Sequence, residues 1–94
     1  MIGVLATIKI NPGSNSDFEE IAKKMVKAVK ANETGNVYYN FYKGEDDNTY
    51  VVMERYKGQE DLDAHGKTEH MRSIGSEMGK HMSGAPEIKI LKSL

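Results

Sequence analysis

Residues 50–70 read YVVMERYKGQEDLDAHGKTEH and contain the change from sheet to helix on which the fold depends. The stretch opens with side chains that alternate between two faces, which is typical of a β-strand. Gly58 ends that strand, and the acidic segment after it predicts a short helix that ends near His65. His70 follows at the expected start of another helix. Two of the three histidines therefore fall in one strand–helix–helix unit.

The residues before this unit predict a strand followed by a helix. Residues 2–10 place apolar side chains at every second position, a period that is typical of a strand. After the turn at residues 11–13, the sequence Ser16-Asp17-Phe18-Glu19 fits a capping box, which marks a helix start. Apolar residues at helical spacing then predict an amphipathic helix over residues 17–32.

A β-hairpin is predicted between this helix and residue 56. Residues 36–43, NVYYNFYK, indicate an aromatic-rich strand, and the turn cluster at residues 44–48 connects it to the next strand. On the first strand, one face holds Val37, Tyr39 and Phe41. On the second strand, one face holds Tyr50, Val52, Glu54 and Tyr56.

The residues after His70 predict a helix and a last strand. The helix covers about residues 68–82, and its apolar stripe consists of Met71, Ile74, Met78 and Met82. Gly75 and Gly79 lie beside the stripe. Because each glycine costs a helix about 1 kcal/mol relative to alanine, they predict either a close approach of the sheet or space for a ligand. Residues 87–94 alternate again and predict a strand.

The resulting β-α-β-β-α-β order, with its second helical segment split in two, predicts an α+β fold of the ferredoxin-like kind. We expect a single domain over residues 1–94, with a four-stranded antiparallel sheet and helices on one face of it. Both faces of the strands carry large apolar or aromatic side chains, so a monomer would expose an apolar sheet face. We therefore expect a homodimer with the two sheets face to face. A monomer with a mildly apolar open face is the alternative.

Composition argues against several function classes. Thirteen basic and fourteen acidic residues give a net charge of −1, so neither nucleic acid nor a membrane surface is an expected partner. The chain has no cysteine, which excludes disulfides and thiolate metal sites. No segment approaches the roughly 20 apolar residues of a membrane-spanning helix, and the N-terminus does not fit a signal peptide. A cytoplasmic protein is the expectation.

Over essentially its whole length the chain resembles the antibiotic biosynthesis monooxygenase family, whose members form a dimeric α/β barrel. The resemblance is most specific at Glu54-Arg55-Tyr56 in the strand, at Asp61-Leu62-Asp63-Ala64-His65 in the short helix and at Glu69-His70. Ala85-Pro86-Glu87 before the last strand also fits. Tyr56 stands where family members commonly have tryptophan, a residue that this chain lacks.

The resemblance implies a cofactor-independent monooxygenase that oxidises a quinol or a phenolic polyketide with dioxygen. In such chemistry the deprotonated substrate donates the electron, while the protein binds a flat ring, takes a proton and excludes water. Haem degradation, the activity of another branch, is not expected, because Thr7 and Gly75 lie where that branch has asparagine and histidine. The alternative is a non-catalytic dimeric barrel that binds a small hydrophobic ligand or has a stress-related role.

The candidate catalytic residues are His65, Glu54 and His70, and the candidate substrate-binding residues are Tyr56, Asn40, Tyr39, Met71 and Met78. Structural alternatives remain open: Glu54 accepts hydrogen bonds or pairs with His65, and His65 packs or interacts with the dipole of its helix. The methionines are core residues in the simplest interpretation. A metal site of His65, His70 and Glu69 is disfavoured by the spacing, so neither a metal nor a cofactor is expected.

Overall fold

A computed structural model describes residues 1–94 as seven helices and strands in the predicted order. In chain order they are β1 (Ile2–Lys9), α1 (Asn15–Asn32), β2 (Asn36–Lys43), β3 (Thr49–Tyr56), α2 (Gln59–Gly66), α3 (Glu69–Gly79) and β4 (Glu87–Lys92). The strands form one antiparallel sheet in the order β2-β3-β1-β4. This arrangement confirms the ferredoxin-like α+β fold. None of the helices is both long enough and apolar enough to cross a membrane.

Alternation along the strands decides which side chains face the helices. In β1, Ile2, Val4, Ala6 and Ile8 are buried on the helix side, which we call the inner face. The register places Tyr39 of β2 opposite Glu54 of β3, Glu54 opposite Val4, and Val4 opposite Ile90 of β4. One row across the inner face therefore carries a phenol, a carboxyl group and two aliphatic side chains.

The main core lies between α1 and the inner face. Phe18 is fully buried, and its ring lies 4.8 Å from that of Tyr50 and 6.1 Å, edge to face, from that of Phe41. Met25 and Val29 follow Phe18 on the same side of α1 and are also buried. The apolar spacing of α1 therefore has the packing role that the sequence indicates.

The start of α1 differs from the predicted capping box. The helix begins at Asn15 with Ser14 as its N-cap, and no side chain caps it. The Asn15 amide donates to the Asp47 carbonyl at 2.5 Å and to the Tyr50 hydroxyl at 3.1 Å. Glu19, the last residue of the predicted box, accepts a hydrogen bond from Tyr50 instead. Contacts with the hairpin thus fix the helix start, and these are not visible in a local sequence motif.

Two further boundaries are corrected by contacts between elements. α3 begins after Thr68, whose hydroxyl accepts from the Met71 amide, and it ends at Gly79 rather than near residue 82. Met82 leaves the helix because it forms an isolated bridge with Ile10. In β2, the register shifts between Asn36 and Tyr38, so Val37 is 43% exposed and does not share the buried face of Tyr39.

The face of the sheet opposite the helices, the outer face, carries an apolar surface. It includes Leu5, Tyr38, Tyr42, Val51, Met53 and Leu91. Met53 is 42% exposed and Leu91 is 52% exposed, and no element of the chain covers them. On the inner face of β4, Ile88 and Ile90 are exposed as well, so the helices leave this edge strand uncovered.

The turn between α1 and β2 has no room for a side chain at Gly35, because an added Cβ would overlap the side chain of Asp61. We expect Gly35→Ala to lower the free energy of unfolding by about 1–3 kcal/mol in a urea titration. Gly75→Ala is the matched control. Its Cβ would meet nothing within 4 Å in the middle of α3, and alanine favours helix by up to about 1 kcal/mol. Equal stability of Gly35→Ala and wild type would contradict the close approach.

Candidate active site

A cavity of about 720 Å³ lies between the inner face of the sheet and helices α2 and α3. Its floor includes Val4, Ala6, Tyr39, Val52 and Glu54, and its helical wall includes Leu62, His65, Met71, Gly75 and Met78. Ile88 and Ile90 of β4 line one side. Ligand sites commonly have roughly this volume, with mostly apolar walls and a few polar groups. The buried ionisable side chains of this cavity are those of Glu54 and His65. Four further polar residues line it: Gln59, Asp63, Arg72 and Ser76.

His65 occupies the last turn of α2 and is 5% exposed, the single polar or charged residue among the buried set. Its ring lies between two phenols, with ring centroids 5.4 Å from Tyr39 and 5.5 Å from Tyr56. Burial between aromatic rings restricts the imidazole to one orientation. One ring nitrogen therefore points toward Glu54 and the other toward the end of α1.

Glu33 contacts Nδ1 of His65. It is the C-cap residue of α1, and its carboxylate oxygens lie 2.8 and 2.9 Å from Nδ1 of His65. One of them also lies 2.5 Å from Nε2 of His70. Because a carboxylate accepts hydrogen bonds, the contact assigns the proton of a neutral His65 to Nδ1. Nε2 of His65 then keeps its lone pair on the side that faces Glu54.

Glu54 lies on the other side of His65. Its Oε1 is 4.0 Å from Nε2 of His65 and accepts a hydrogen bond of 2.7 Å from the Tyr56 hydroxyl. Burial raises the pKa of the Glu54 carboxyl, and the negative charge of Glu33 adds to the rise, while Tyr56 and His65 oppose it. The site therefore has a carboxyl group that gains a proton more readily than one in water.

Both tyrosines beside His65 stay as neutral phenols. Burial raises the pKa of Tyr56 above its ordinary value, and the hydrogen bond to Glu54 raises it further. Burial also raises the pKa of Tyr39, with smaller contributions from the charges of Glu54 and Glu33. Neither phenol is available as a base, which leaves the imidazole of His65 and the carboxyl group of Glu54 as the buried proton-exchanging groups of this wall.

Comparison with known proteins agrees with this fold. The family model described as antibiotic biosynthesis monooxygenase matches residues 1–75. The chain belongs to the antibiotic biosynthesis monooxygenase family. Its sequence is 32% identical over 87 residues to the "Putative monooxygenase YcnE" of Bacillus subtilis (strain 168), with 92% of this chain and 90% of that protein covered.

Solved structures support the same family assignment. A "putative antibiotic biosynthesis monooxygenase" from Caulobacter crescentus CB15 matches with a TM-score of 0.94 and 35% identity, covering 99% of this chain and 89% of that one. A conserved protein from Methanosarcina mazei Go1 matches with a TM-score of 0.91. That match covers 99% of this chain and 92% of that one, and at 22% identity it is evidence for the fold alone.

Within this family member, the cavity brings together five of the residues predicted for the site. His65, Glu54, Tyr39, Met71 and Met78 all line it. Gly75 also lines the cavity, and a Cβ added to it would meet no atom within 4 Å. The sequence predicted either a close approach of the sheet or space for a ligand at this glycine, and the structure agrees with the second.

The other three predicted residues do not form the cavity wall. Tyr56 is fully buried behind it and holds Glu54, and His70 contacts Glu33. Asn40 is exposed and lies away from the cavity, because strand alternation turns it from the inner face that Tyr39 occupies. The geometry thus gives no support to substrate binding by Asn40 in this cavity.

Glu33 is a member of the site that the sequence did not predict. The predicted partner of His65 was Glu54, yet Glu33 lies closer, at 2.8 Å against 4.0 Å. Glu33 reaches the site because α1 ends beside α2, a contact between segments 32 residues apart. The one available signal was an acidic residue between Asn32 and the Gly35 turn. An acidic residue at the C-terminal end of a helix opposes the helix dipole and suggests a partner elsewhere.

Proposed function

We propose that this chain is a cofactor-independent monooxygenase that oxidises a small, electron-rich aromatic molecule, of the quinol or phenol type, with dioxygen. The observation that carries the proposal is the position of His65. Its Nδ1 is held by Glu33, and its Nε2 is directed toward Glu54 at the edge of a cavity whose lining is mostly apolar. Membership of the family supports the reaction type, and the cavity supports the class of substrate.

The proposed reaction begins with proton transfer from a substrate hydroxyl to Nε2 of His65. The phenolate then gives one electron to dioxygen, and the resulting substrate radical and superoxide combine into a carbon-bound hydroperoxide. Loss of water leaves a product with one more oxygen atom and two fewer hydrogens than the quinol. All electrons come from the substrate, since one oxygen atom enters the product and the other leaves as water. The protein's contribution is to position the ring and to move the proton.

The surroundings of His65 suit this role. Glu33 fixes the ring in the tautomer that accepts a proton at Nε2, as a carboxylate orients the histidine in other proton-transfer sites. When Nε2 gains the proton, Glu54 at 4.0 Å lies close enough to stabilise the new charge. The apolar walls formed by Val4, Val52 and Met78 exclude water from the phenolate.

The experiment is aerobic and anaerobic incubation of the purified protein with a panel of hydroquinones and naphthols. Product formation is followed by absorbance and mass spectrometry, and oxygen consumption by an electrode. We expect at least one compound to consume one dioxygen per molecule faster than in buffer, with no added metal, flavin or haem. Rates equal to those in buffer across the panel would contradict the proposal.

The volume of the cavity is the basis of a prediction on ligand binding. Gly75→Leu places a side chain into the cavity, so we expect the Kd of an anaerobic hydroquinone to rise by at least about tenfold, the effect of about 1.4 kcal/mol. Gly79→Leu is the matched control, because Gly79 lies one turn further along α3 and does not line the cavity. Calorimetric titration of both variants measures the difference. Unchanged affinity in Gly75→Leu would place the ligand elsewhere.

The titration and the oxygen-consumption assay together separate catalysis from binding. A non-catalytic barrel that binds a small hydrophobic ligand is the second candidate, and one observation favours it. Tyr56, which stands where family members commonly have tryptophan, is fully buried and bonded to Glu54, so it offers no ring to a substrate in the cavity. Saturable binding without oxygen consumption would support this candidate.

We also propose that two copies of the chain pair through the outer face. Its apolar side chains are uncovered in one copy, and a surface of this kind commonly marks an interface. We expect wild type to sediment as a dimer at micromolar concentration, and Met53→Glu to sediment as a monomer because it places a charge in the interface. Lys27→Glu, on the exposed side of α1, is the control and should remain dimeric. A wild-type monomer would exclude the pairing.

A further inference from the structure

We propose that Glu33, His65 and His70 form a binding site for one divalent transition-metal ion, with Zn²⁺ and Co²⁺ as suitable occupants. Each residue offers one ligand atom, and the three atoms lie within 4.8 Å of one another. The site lies behind the cavity wall, where α1, α2 and α3 meet.

The donor set suits such an ion. Two imidazole nitrogens and one carboxylate oxygen are the combination that borderline divalent metals prefer, and three protein ligands leave a position for water or another ligand. Nδ1 of His65 and Nε2 of His70 lie 2.8 and 2.5 Å from the same Glu33 oxygen. Ligand atoms that each lie about 2.0–2.2 Å from a metal are somewhat farther from one another than these 2.8 and 2.5 Å nitrogen–oxygen separations. Small side-chain movements would therefore admit the ion.

Burial and chain position keep the three ligands in place. The side chains of Glu33, His65 and His70 are 8, 7 and 11% exposed, so none of them has to be recruited from solvent. Glu33 is the cap of α1, His65 lies in the last turn of α2 and His70 in the first turn of α3. The ligands thus approach from three directions. Glu69, next to His70, is not part of the set, since it pairs with Arg72 on the surface.

The surroundings of Nε2 of His65 are compatible with a metal on Nδ1. A metal on Nδ1 requires the proton of a neutral imidazole to sit on Nε2, and metal-bound histidines commonly donate that proton to a carboxylate. Glu54 is the carboxyl group on that side, 4.0 Å from Nε2. This separation is longer than a hydrogen bond, so Glu54 would have to move closer to accept the Nε2 proton when a metal binds.

Metal binding would have a consequence for the reaction, and this consequence rests on the proposed function. The metal and the Nδ1 proton compete for the same lone pair. In the metal-bound form Nε2 carries a proton and cannot accept one from the substrate. A divalent ion at this site would therefore inhibit the oxygenase by changing the tautomer of its base.

The test of the site does not need turnover. The full chain is freed of metal with a chelator and titrated with Co²⁺, whose visible absorption reports nitrogen and oxygen ligands. We expect saturation at one ion per chain and displacement by Zn²⁺. Glu33→Gln and His70→Gln should each raise the Kd by at least about tenfold, because loss of even an outer-shell partner of a metal ligand costs about 10- to 100-fold. His81→Gln, which removes the histidine outside the cluster, should bind as wild type does.

Three results would overturn the site: no saturable Co²⁺ binding by wild type, equal affinity in His70→Gln and wild type, or equal loss in His81→Gln. The His70 side chain is the most exposed of the three, so His70→Gln should disturb the fold least. It therefore still tests the site if Glu33→Gln does not fold. Nitrogen-15 NMR of the histidine rings adds a second measurement. The His65 proton should move from Nδ1 to Nε2 when Zn²⁺ binds, and a proton that stays on Nδ1 would also overturn the assignment. Failure of the quinol assay affects none of these readouts.

Discussion

His65→Gln is expected to lower the rate of quinol oxidation by about 10²- to 10⁴-fold, the usual contribution of a positioned general base. Glutamine keeps a polar group near Glu33 but has no lone pair of suitable basicity to take a substrate proton. The measurement is the initial rate of oxygen consumption at saturating substrate. We expect the loss in kcat rather than in substrate affinity, because the apolar walls that bind the ring are unchanged.

His81→Gln is the matched control for this prediction. It makes the same chemical change at a histidine outside the cavity and outside the Glu33 cluster, and it should retain wild-type activity. Circular dichroism and urea unfolding of both variants would show whether the fold is intact. A folded His65→Gln protein that oxidises quinol at the wild-type rate would remove His65 from the mechanism.

The second large effect is on stability. Phe18→Ala is expected to lower the free energy of unfolding by about 3–5 kcal/mol, as for other fully buried phenylalanines. Phe18 has no exposed surface, and its ring contacts those of Tyr50 and Phe41 between α1 and the sheet. Since small proteins are stable by only about 5–15 kcal/mol, this single change would remove a large part of the total.

A urea titration followed by circular dichroism measures this loss. Val37→Ala is a suitable control, because Val37 is 43% exposed and lies beside the irregular register of β2. Its replacement should change the free energy of unfolding only slightly. A loss below about 1 kcal/mol in Phe18→Ala, the size expected for an exposed side chain, would show that α1 does not pack on the sheet as described.

The fold was predictable because its signals are local. Alternation in residues 2–10 and the helical spacing after Phe18 each depend on neighbours a few positions apart. The strand at residues 36–43 was predicted with the bounds that β2 has. Contacts between elements account for the differences, since Asn15 bonds to the hairpin and Met82 bonds to Ile10. Such contacts leave no periodic pattern in the sequence.

The candidate site was predictable only in part, for the same reason. Glu54 stood out as an acidic residue inside a strand pattern and His65 as a histidine at the end of a short acidic helix, and both line the cavity. Glu33 did not stand out, because its importance comes from where α1 ends relative to α2. Asn40 was grouped with Tyr39 although strand alternation places neighbouring residues on opposite faces. Residue type indicated the chemistry, while the partners of each residue required the three-dimensional arrangement.

A single-turnover experiment measures the oxygenation step and its dependence on His65 without product release. The anaerobic complex of the metal-free protein with a hydroquinone is mixed with oxygenated buffer, and the product is followed by absorbance and mass spectrometry. We expect a product with one added oxygen atom, formed faster than in buffer by wild type and by His81→Gln but not by His65→Gln. Product formation at the buffer rate in wild type, or at equal rates in wild type and His65→Gln, would contradict this expectation.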